Sequence, residues 1–138
     1  MITQAFTVAG KLALLRGEHQ PSDVYKIALY GAEAMLDEWT AVYEPAGEVP
    51  EQGGYQSGGQ VLSGYRTRVE GRTALLGWDD PAWLDATITA RGALVYNATR
   101  GNAALAVLDF GEVITSTRGM FAVALPAMTA ATGLMRVT

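Results

Sequence analysis

The stretch that decides the fold is residues 85–97, which read Asp-Ala-Thr-Ile-Thr-Ala-Arg-Gly-Ala-Leu-Val-Tyr-Asn. As far as Arg91 the stretch alternates, with Ala86, Ile88 and Ala90 between polar or charged residues. Successive side chains of a β-strand point to opposite faces, so this pattern predicts a strand with one buried and one exposed face. Gly92 interrupts the run and predicts a β-bulge, which would shift the phase of the alternation.

Further β-rich segments lie on both sides of this strand, separated by turn-forming residues. The turn signals include Asp79-Asp80-Pro81, Arg100-Gly101-Asn102 and Thr117-Arg118-Gly119. Short strands at this spacing are typical of sandwiches, jelly rolls and small barrels, and we predict an all-β domain of the jelly-roll or β-sandwich type. The predicted strands are Val24–Tyr30, Val61–Val69 with a break at Gly64, Arg72–Trp78, Ala82–Ala90, Ala93–Ala98, Ala103–Phe110, Met120–Leu125 and Gly133–Thr138.

One predicted strand differs from the others because Ala103–Leu108 is apolar at every position. A strand without a polar face is covered on both sides. We therefore expect either a second sheet or a partner subunit over its second face.

The N-terminal region departs from the β pattern. Apolar residues recur at helical spacing, and they predict a helix over about residues 4–15, with Thr3 as N-cap and Gly17 just beyond the C-terminus. Residues 31–43 are compatible with a short helix or with a turn and a strand. Residues 44–60 hold two prolines and five glycines and predict a long loop.

Composition excludes several classes of site. The chain has 138 residues, a length typical of one domain, and we predict a single domain over residues 1–138. It has no cysteine and one histidine, which excludes disulfides, thiolate metal sites and multi-histidine centres. A net charge of −4 disfavours nucleic acid as a partner, because phosphate binding requires clustered cations. The sequence also shows no signal peptide and no apolar run of membrane-spanning length, so we expect no membrane association.

No motif in the chain predicts catalysis, a cofactor or a metal. Residues 53–59 are glycine-rich but lack the lysine of a phosphate-binding loop. Asp79, Asp80 and Asp85 fit a turn better than a calcium site. We expect the side chains of the three acidic residues of the loop, Glu44, Glu48 and Glu51, to be solvated. We expect His19, the one histidine, to lie on the surface or to cap an element. The residues therefore favour a protein without an active site, and a hydrolase that uses His19 is the least favoured alternative.

Two surface features leave binding functions open. Trp39, Trp78 and Trp83 would form a sugar-binding platform if they were exposed, although tryptophan in small β proteins more often lies in the core. Arg66, Arg68 and Arg72 form a small basic patch that would suit an acidic partner surface.

Three stretches resemble a known group of proteins. They are residues 43–59, from Tyr-Glu-Pro-Ala-Gly to the glycine-rich loop, residues 83–97, and residues 101–111. Together they are similar to the head cement, or decoration, proteins of short-tailed bacteriophages. The nearest case is the small jelly-roll cement protein of a Bordetella phage.

The resemblance implies a jelly roll on the outside of a capsid, made in the bacterial cytoplasm. It implies the major capsid protein as partner, a homodimer, and neither an active site nor a cofactor. A tail or head–tail joining protein and a carbohydrate-binding β-sandwich are the alternatives. The residues expected at partner interfaces are Tyr55, Arg66, Arg68, Leu105, Val107 and Met135.

Overall fold

The computed structural model describes residues 1–138 as eight β-strands, one short α-helix and a 3₁₀ turn at Ala98–Arg100. This arrangement confirms the predicted all-β class with a short N-terminal helix. In chain order the elements are β1 (Ala5–Phe6), α1 (Val8–Leu15), β2 (Tyr25–Tyr30), β3 (Gln60–Val61), β4 (Arg66–Glu70), β5 (Thr73–Gly77), β6 (Ala82–Asn97), β7 (Ala103–Ala122) and β8 (Met135–Val137).

The strands form two sheets in which every neighbouring pair is antiparallel. The larger sheet has the order β1-β7-β6-β2-β3, and the smaller has the order β4-β5-β8. The main hydrophobic cluster draws side chains from both, with Ile27 and Ile88 of the larger sheet and Leu76 and Met135 of the smaller one. Burial of apolar surface shared by the two sheets therefore holds them in one core.

The strands β6 and β7 are longer than the sequence predicts. Two predicted strands merge into β6, and β7 runs through the predicted turn at residues 117–119. Register shifts absorb the irregular residues. The buried face of β6 changes phase at Gly92 as predicted, since Ala90 and Ala93 both belong to the main cluster. The additional residues at this register shift, however, lie on β7 between Asp109 and Ile114. Arg118 adopts a positive φ of 47° within the strand, so its turn-forming character produces a local irregularity rather than a chain reversal.

The strand segment Ala103–Leu108 is covered on both faces by its own chain. Leu105 and Leu108 belong to the main cluster, whereas Val107 belongs to a second cluster that includes Ile2 and Leu36. The cover on the second face is therefore the N-terminal segment and the region around residue 36.

The helix starts later than predicted. Residues 5–6 form β1, and Thr7 rather than Thr3 is the N-cap, with its hydroxyl accepting a hydrogen bond from Gly10 N–H at 2.9 Å. The same hydroxyl lies 3.0 Å from the Leu105 carbonyl oxygen, to which it donates, so Thr7 fixes the helix to β7. Gly17 follows the helix with φ 70°, as predicted. Val8, Leu12 and Leu15 of the helix remain exposed, and the eight-residue helix is too short to cross a bilayer.

The loop over residues 44–60 is confirmed, since regular pairing resumes only at β3. Residues 31–43 form neither a helix nor a full strand. They are held by isolated bridges, of which Leu36 pairs with Ile2 and Val42 with Ala103.

Candidate functional site

The structure separates the six residues expected at partner interfaces into two groups. Arg66 and Arg68 are exposed on β4. The other four are core residues of the single chain, each exposing at most 2% of its surface: Tyr55, Leu105, Val107 and Met135. In the single chain the two-sheet core and the N-terminal cover enclose most of their surface.

A groove beside the smaller sheet nevertheless brings three of the six together. Arg66, Arg68 and Met135 line a cavity of about 460 Å³ between β4, β5 and the C-terminal segment. This volume falls in the range of ligand pockets, roughly 300–1,000 Å³. The lining is mostly apolar, and its other members include Leu76, Trp78, Leu125, Pro126, Met128 and Leu134.

The two arginines at the groove carry local ion pairs. Arg66 Nη1 lies 2.7 Å from Asp79 Oδ1 and donates a second hydrogen bond to the Gly64 carbonyl oxygen. Arg68 Nη2 lies 3.2 Å from Glu70 Oε2. Both pairs are about half exposed, and such pairs are weak, about 0–1 kcal/mol. An approaching acidic group can therefore compete for either arginine at little cost.

Trp78 gives the groove an unusual polar feature. The side chain is buried against Tyr25 and Tyr65, with ring centroids 5.2 and 6.0 Å away, yet its Nε1–H has no hydrogen-bond partner. A buried donor without an acceptor costs about 1–3 kcal/mol.

The glycine-rich loop is fixed by Glu48, which corrects the expectation of a solvated side chain. The Glu48 carboxylate accepts hydrogen bonds from Tyr43 Oη at 2.5 Å, Tyr55 Oη at 2.6 Å and Gly58 N at 2.7 Å. Tyr55 Oη in turn accepts from Leu29 N–H at 2.9 Å, which joins the loop to β2. The sequence could not reveal this network, because its members meet only when the loop folds back on the sheet.

The tyrosines of this network are protonated at neutral pH. Burial, assisted by the nearby Glu48 carboxylate, raises the pKa of Tyr43 and Tyr55 far above the ordinary phenol value of about 10, and that of Tyr96 to about 12. A phenol that keeps its proton donates hydrogen bonds but does not act as a base. The network is therefore suited to holding the loop in place.

His19 is buried rather than on the surface, contrary to the sequence prediction. Its Nδ1 lies 2.9 Å from Asn97 Nδ2, and Asn97 donates to Asp23, which also pairs with Arg100. Burial lowers the pKa of His19, and this effect outweighs the opposing charge of Asp23. No serine hydroxyl is hydrogen-bonded to the ring, so the neighbours of His19 fit a structural role at the β2–β6 end of the larger sheet.

Two of the three clustered aspartates have structural partners. Asp79 pairs with Arg66, and Asp80 Oδ1 accepts a hydrogen bond from Leu125 N–H at 2.9 Å. No group of three metal-binding side chains comes together. Trp78 and Trp83 are buried, and only Trp39 is exposed, so the three tryptophans do not form a common platform.

The sequence did not predict the groove because its walls come from distant segments. Arg66 and Arg68 precede Trp78 by about ten residues, whereas the opposite wall lies near residues 125–135. The apolar residues of the C-terminal segment are the only feature of the sequence that points to the groove, and they fit a core strand equally well. No protein-family model, curated protein or solved structure matches this chain.

Proposed function

We propose that this protein is a non-enzymatic structural protein that binds the outside of a bacteriophage capsid and stabilises contacts between major capsid proteins. The resemblance of residues 43–59, 83–97 and 101–111 to head cement proteins supports the capsid assignment. We also propose that the two sheets form a jelly roll.

The observation that carries the binding mode is the apolar groove that Arg66 and Arg68 border. Its floor is apolar, and its rim holds two arginines in weak local pairs. A short extended segment of a capsid protein would bury apolar side chains there. An acidic residue in that segment would find Arg66 or Arg68.

Such binding stabilises a shell through mass action. A protein that binds only the assembled form of the capsid lowers the free energy of that form, and many symmetric copies increase the effect. This mechanism requires only surface complementarity.

The test is co-sedimentation of the purified chain with capsids of its own virus that lack it. Ala127 is exposed and lines the groove, so Ala127→Glu places a charge there without altering the core. We expect this variant to lose at least about tenfold in affinity, or about 1.4 kcal/mol, because the added side chain occupies the groove and its carboxylate competes with an acidic residue of the partner for Arg66 and Arg68. The matched control is Ala32→Glu, at an exposed alanine outside the groove, and it should bind like the original chain.

Failure of the unaltered chain to sediment with the capsids would contradict the proposed function. Equal binding by the Ala127→Glu and Ala32→Glu variants would instead remove the groove from the proposal. Circular dichroism of both variants checks that each is folded.

A further inference from the structure

The outer edge of β7 is unpaired over most of its length. On that side β1 pairs only with Ala106 and Val107, and no strand pairs with the rest of the edge from Asp109 to Ala122. The opposite side of this two-stranded ribbon is covered, since the glycine-rich loop lies along β6. There Thr87 N–H donates to the Gly53 carbonyl oxygen at 2.7 Å, and Gln60 Nε2 donates to the Ala82 carbonyl oxygen at 2.9 Å.

The open edge contains a regular segment suitable for strand pairing. Gly111, with φ 84°, and Arg118, with φ 47°, delimit the residues 112–117. Proteins commonly protect edge strands with lysine, proline or a covering loop, and this segment has none of these. It also exposes apolar side chains, with Val113 at 48% and Ile114 at 40%.

The charges on this edge are arranged symmetrically. Glu112 and Arg118 lie three residues before and after Thr115, and neither forms an ion pair within the chain. If two copies of the edge pair antiparallel with Thr115 opposite Thr115, each Glu112 lies opposite an Arg118 of the other copy. In a register shifted by one or more residues, neither Glu112 lies opposite an Arg118.

We propose that the β7 edge binds the same edge of a second copy, antiparallel and centred on Thr115. The contact uses the same residues on both copies, as a two-fold symmetric interface requires. Backbone hydrogen bonds between the two edges supply affinity. The two pairs of opposite charges, each formed by Glu112 of one copy and Arg118 of the other, select the register. The two five-stranded sheets then form one continuous sheet. This inference rests on the edge alone and is independent of the capsid proposal.

The test measures self-association by sedimentation velocity at protein concentrations up to about 100 μM. We expect the unaltered chain to dimerise. Glu112→Arg and Arg118→Glu should each weaken the dimer by at least about tenfold, because each places like charges opposite one another. Glu33→Arg, at an exposed acidic residue outside this edge, is the matched control and should leave dimerisation unchanged.

Mixing the two charge-reversed variants tests the register directly. One variant then carries two cations on its edge and the other two anions, so antiparallel pairing restores both matches between unlike copies. We expect a heterodimer at least about tenfold tighter than either homodimer. A monomeric unaltered chain, or no preference for the mixed pair, would overturn the proposal, and this readout does not depend on either variant's stability alone.

Discussion

Glu48 shows how a side chain gains its role from long-range folding. In the sequence it is one acidic residue in a loop rich in glycine and proline, where solvated carboxylates are common. In the structure its carboxylate accepts three hydrogen bonds and joins Tyr43, Tyr55 and Gly58. We infer that this carboxylate is the main polar anchor of the loop.

Replacing the carboxylate with an amide tests this role. Glu48→Gln keeps the size of the side chain but turns one acceptor oxygen into a donor that faces a phenol O–H. We expect the free energy of unfolding to fall by about 1–3 kcal/mol, measured by chemical denaturation. Glu44→Gln is the control, because the Glu44 side chain is exposed and makes no hydrogen bond. Equal stability of the two variants would contradict the anchoring role.

Asp23 gives the fold a dependence on acid. Its carboxylate accepts hydrogen bonds from Arg100, Asn97 and the backbone of Gln20, and the Arg100 bond is the main reason that the pKa of Asp23 falls from 3.8 to about 2. A folded-state pKa below the unfolded value stabilises the protein above the unfolded pKa. This stabilisation is lost as the pH falls toward 2.

The variant Asp23→Asn isolates this contribution. We expect it to be less stable than the original chain at pH 5–7, with the difference shrinking between about pH 4 and pH 2. Denaturation of both proteins across this range measures the difference. A difference that does not change with pH would contradict the pairing of Asp23 with Arg100.

At the scale of elements, the local sequence pattern predicted where strands form better than it predicted where each strand begins and ends. The alternation of residues 85–91 and its change of phase at Gly92 depend only on neighbouring residues, and both are confirmed. The merging of β6 and the continuation of β7 through Arg118 depend on pairing between the two strands, which tolerates irregular residues. Sequence patterns cannot report this tolerance.

The helix illustrates the same limit. Its apolar spacing predicted a helix over about residues 4–15, yet Leu12 and Leu15 are exposed and the contact with β7 uses Gly10. A Cβ at Gly10 would lie 2.9 Å from the Leu105 carbonyl oxygen, so close approach of the two backbones decides where the helix packs. Because glycine has no side chain, a pattern of hydrophobic residues cannot show that Gly10 is the contact point.

The position of the glycine-rich loop against β2 depends on Gly59. Its φ is 80°, and a Cβ there would lie 1.8 Å from the Ile27 carbonyl oxygen, which the backbone cannot accommodate without moving. We expect Gly59→Ala to reduce the free energy of unfolding by about 2–5 kcal/mol, from backbone strain and overlap together. Chemical denaturation measures the change.

Gly71→Ala is the matched control for this substitution. Gly71 has a similar φ of 61° but no atom within 4 Å of the added Cβ, so only the strain of about 1–2 kcal/mol applies. Equal losses in the two variants would show that the loop does not approach β2 as closely as described.

At the scale of the whole molecule, two surfaces are free for contacts with other proteins. One is the groove beside β4 and β5, and the other is the β7 edge around Thr115; the two share no residue. A protein that binds a second copy through one surface and a shell protein through the other bridges neighbouring subunits. This bridging role is a proposal that the sequence suggests only through resemblance, because both surfaces depend on which strands remain uncovered after folding.

The most direct test of the capsid proposal is the number of copies of this chain in purified particles of its virus. Quantitative mass spectrometry gives that number relative to the major capsid protein. We predict a simple lattice ratio, such as about one to one, because a cement protein occupies every equivalent position on a shell. A few copies per particle would instead indicate a tail or head–tail joining protein, and absence from the particle would contradict the account.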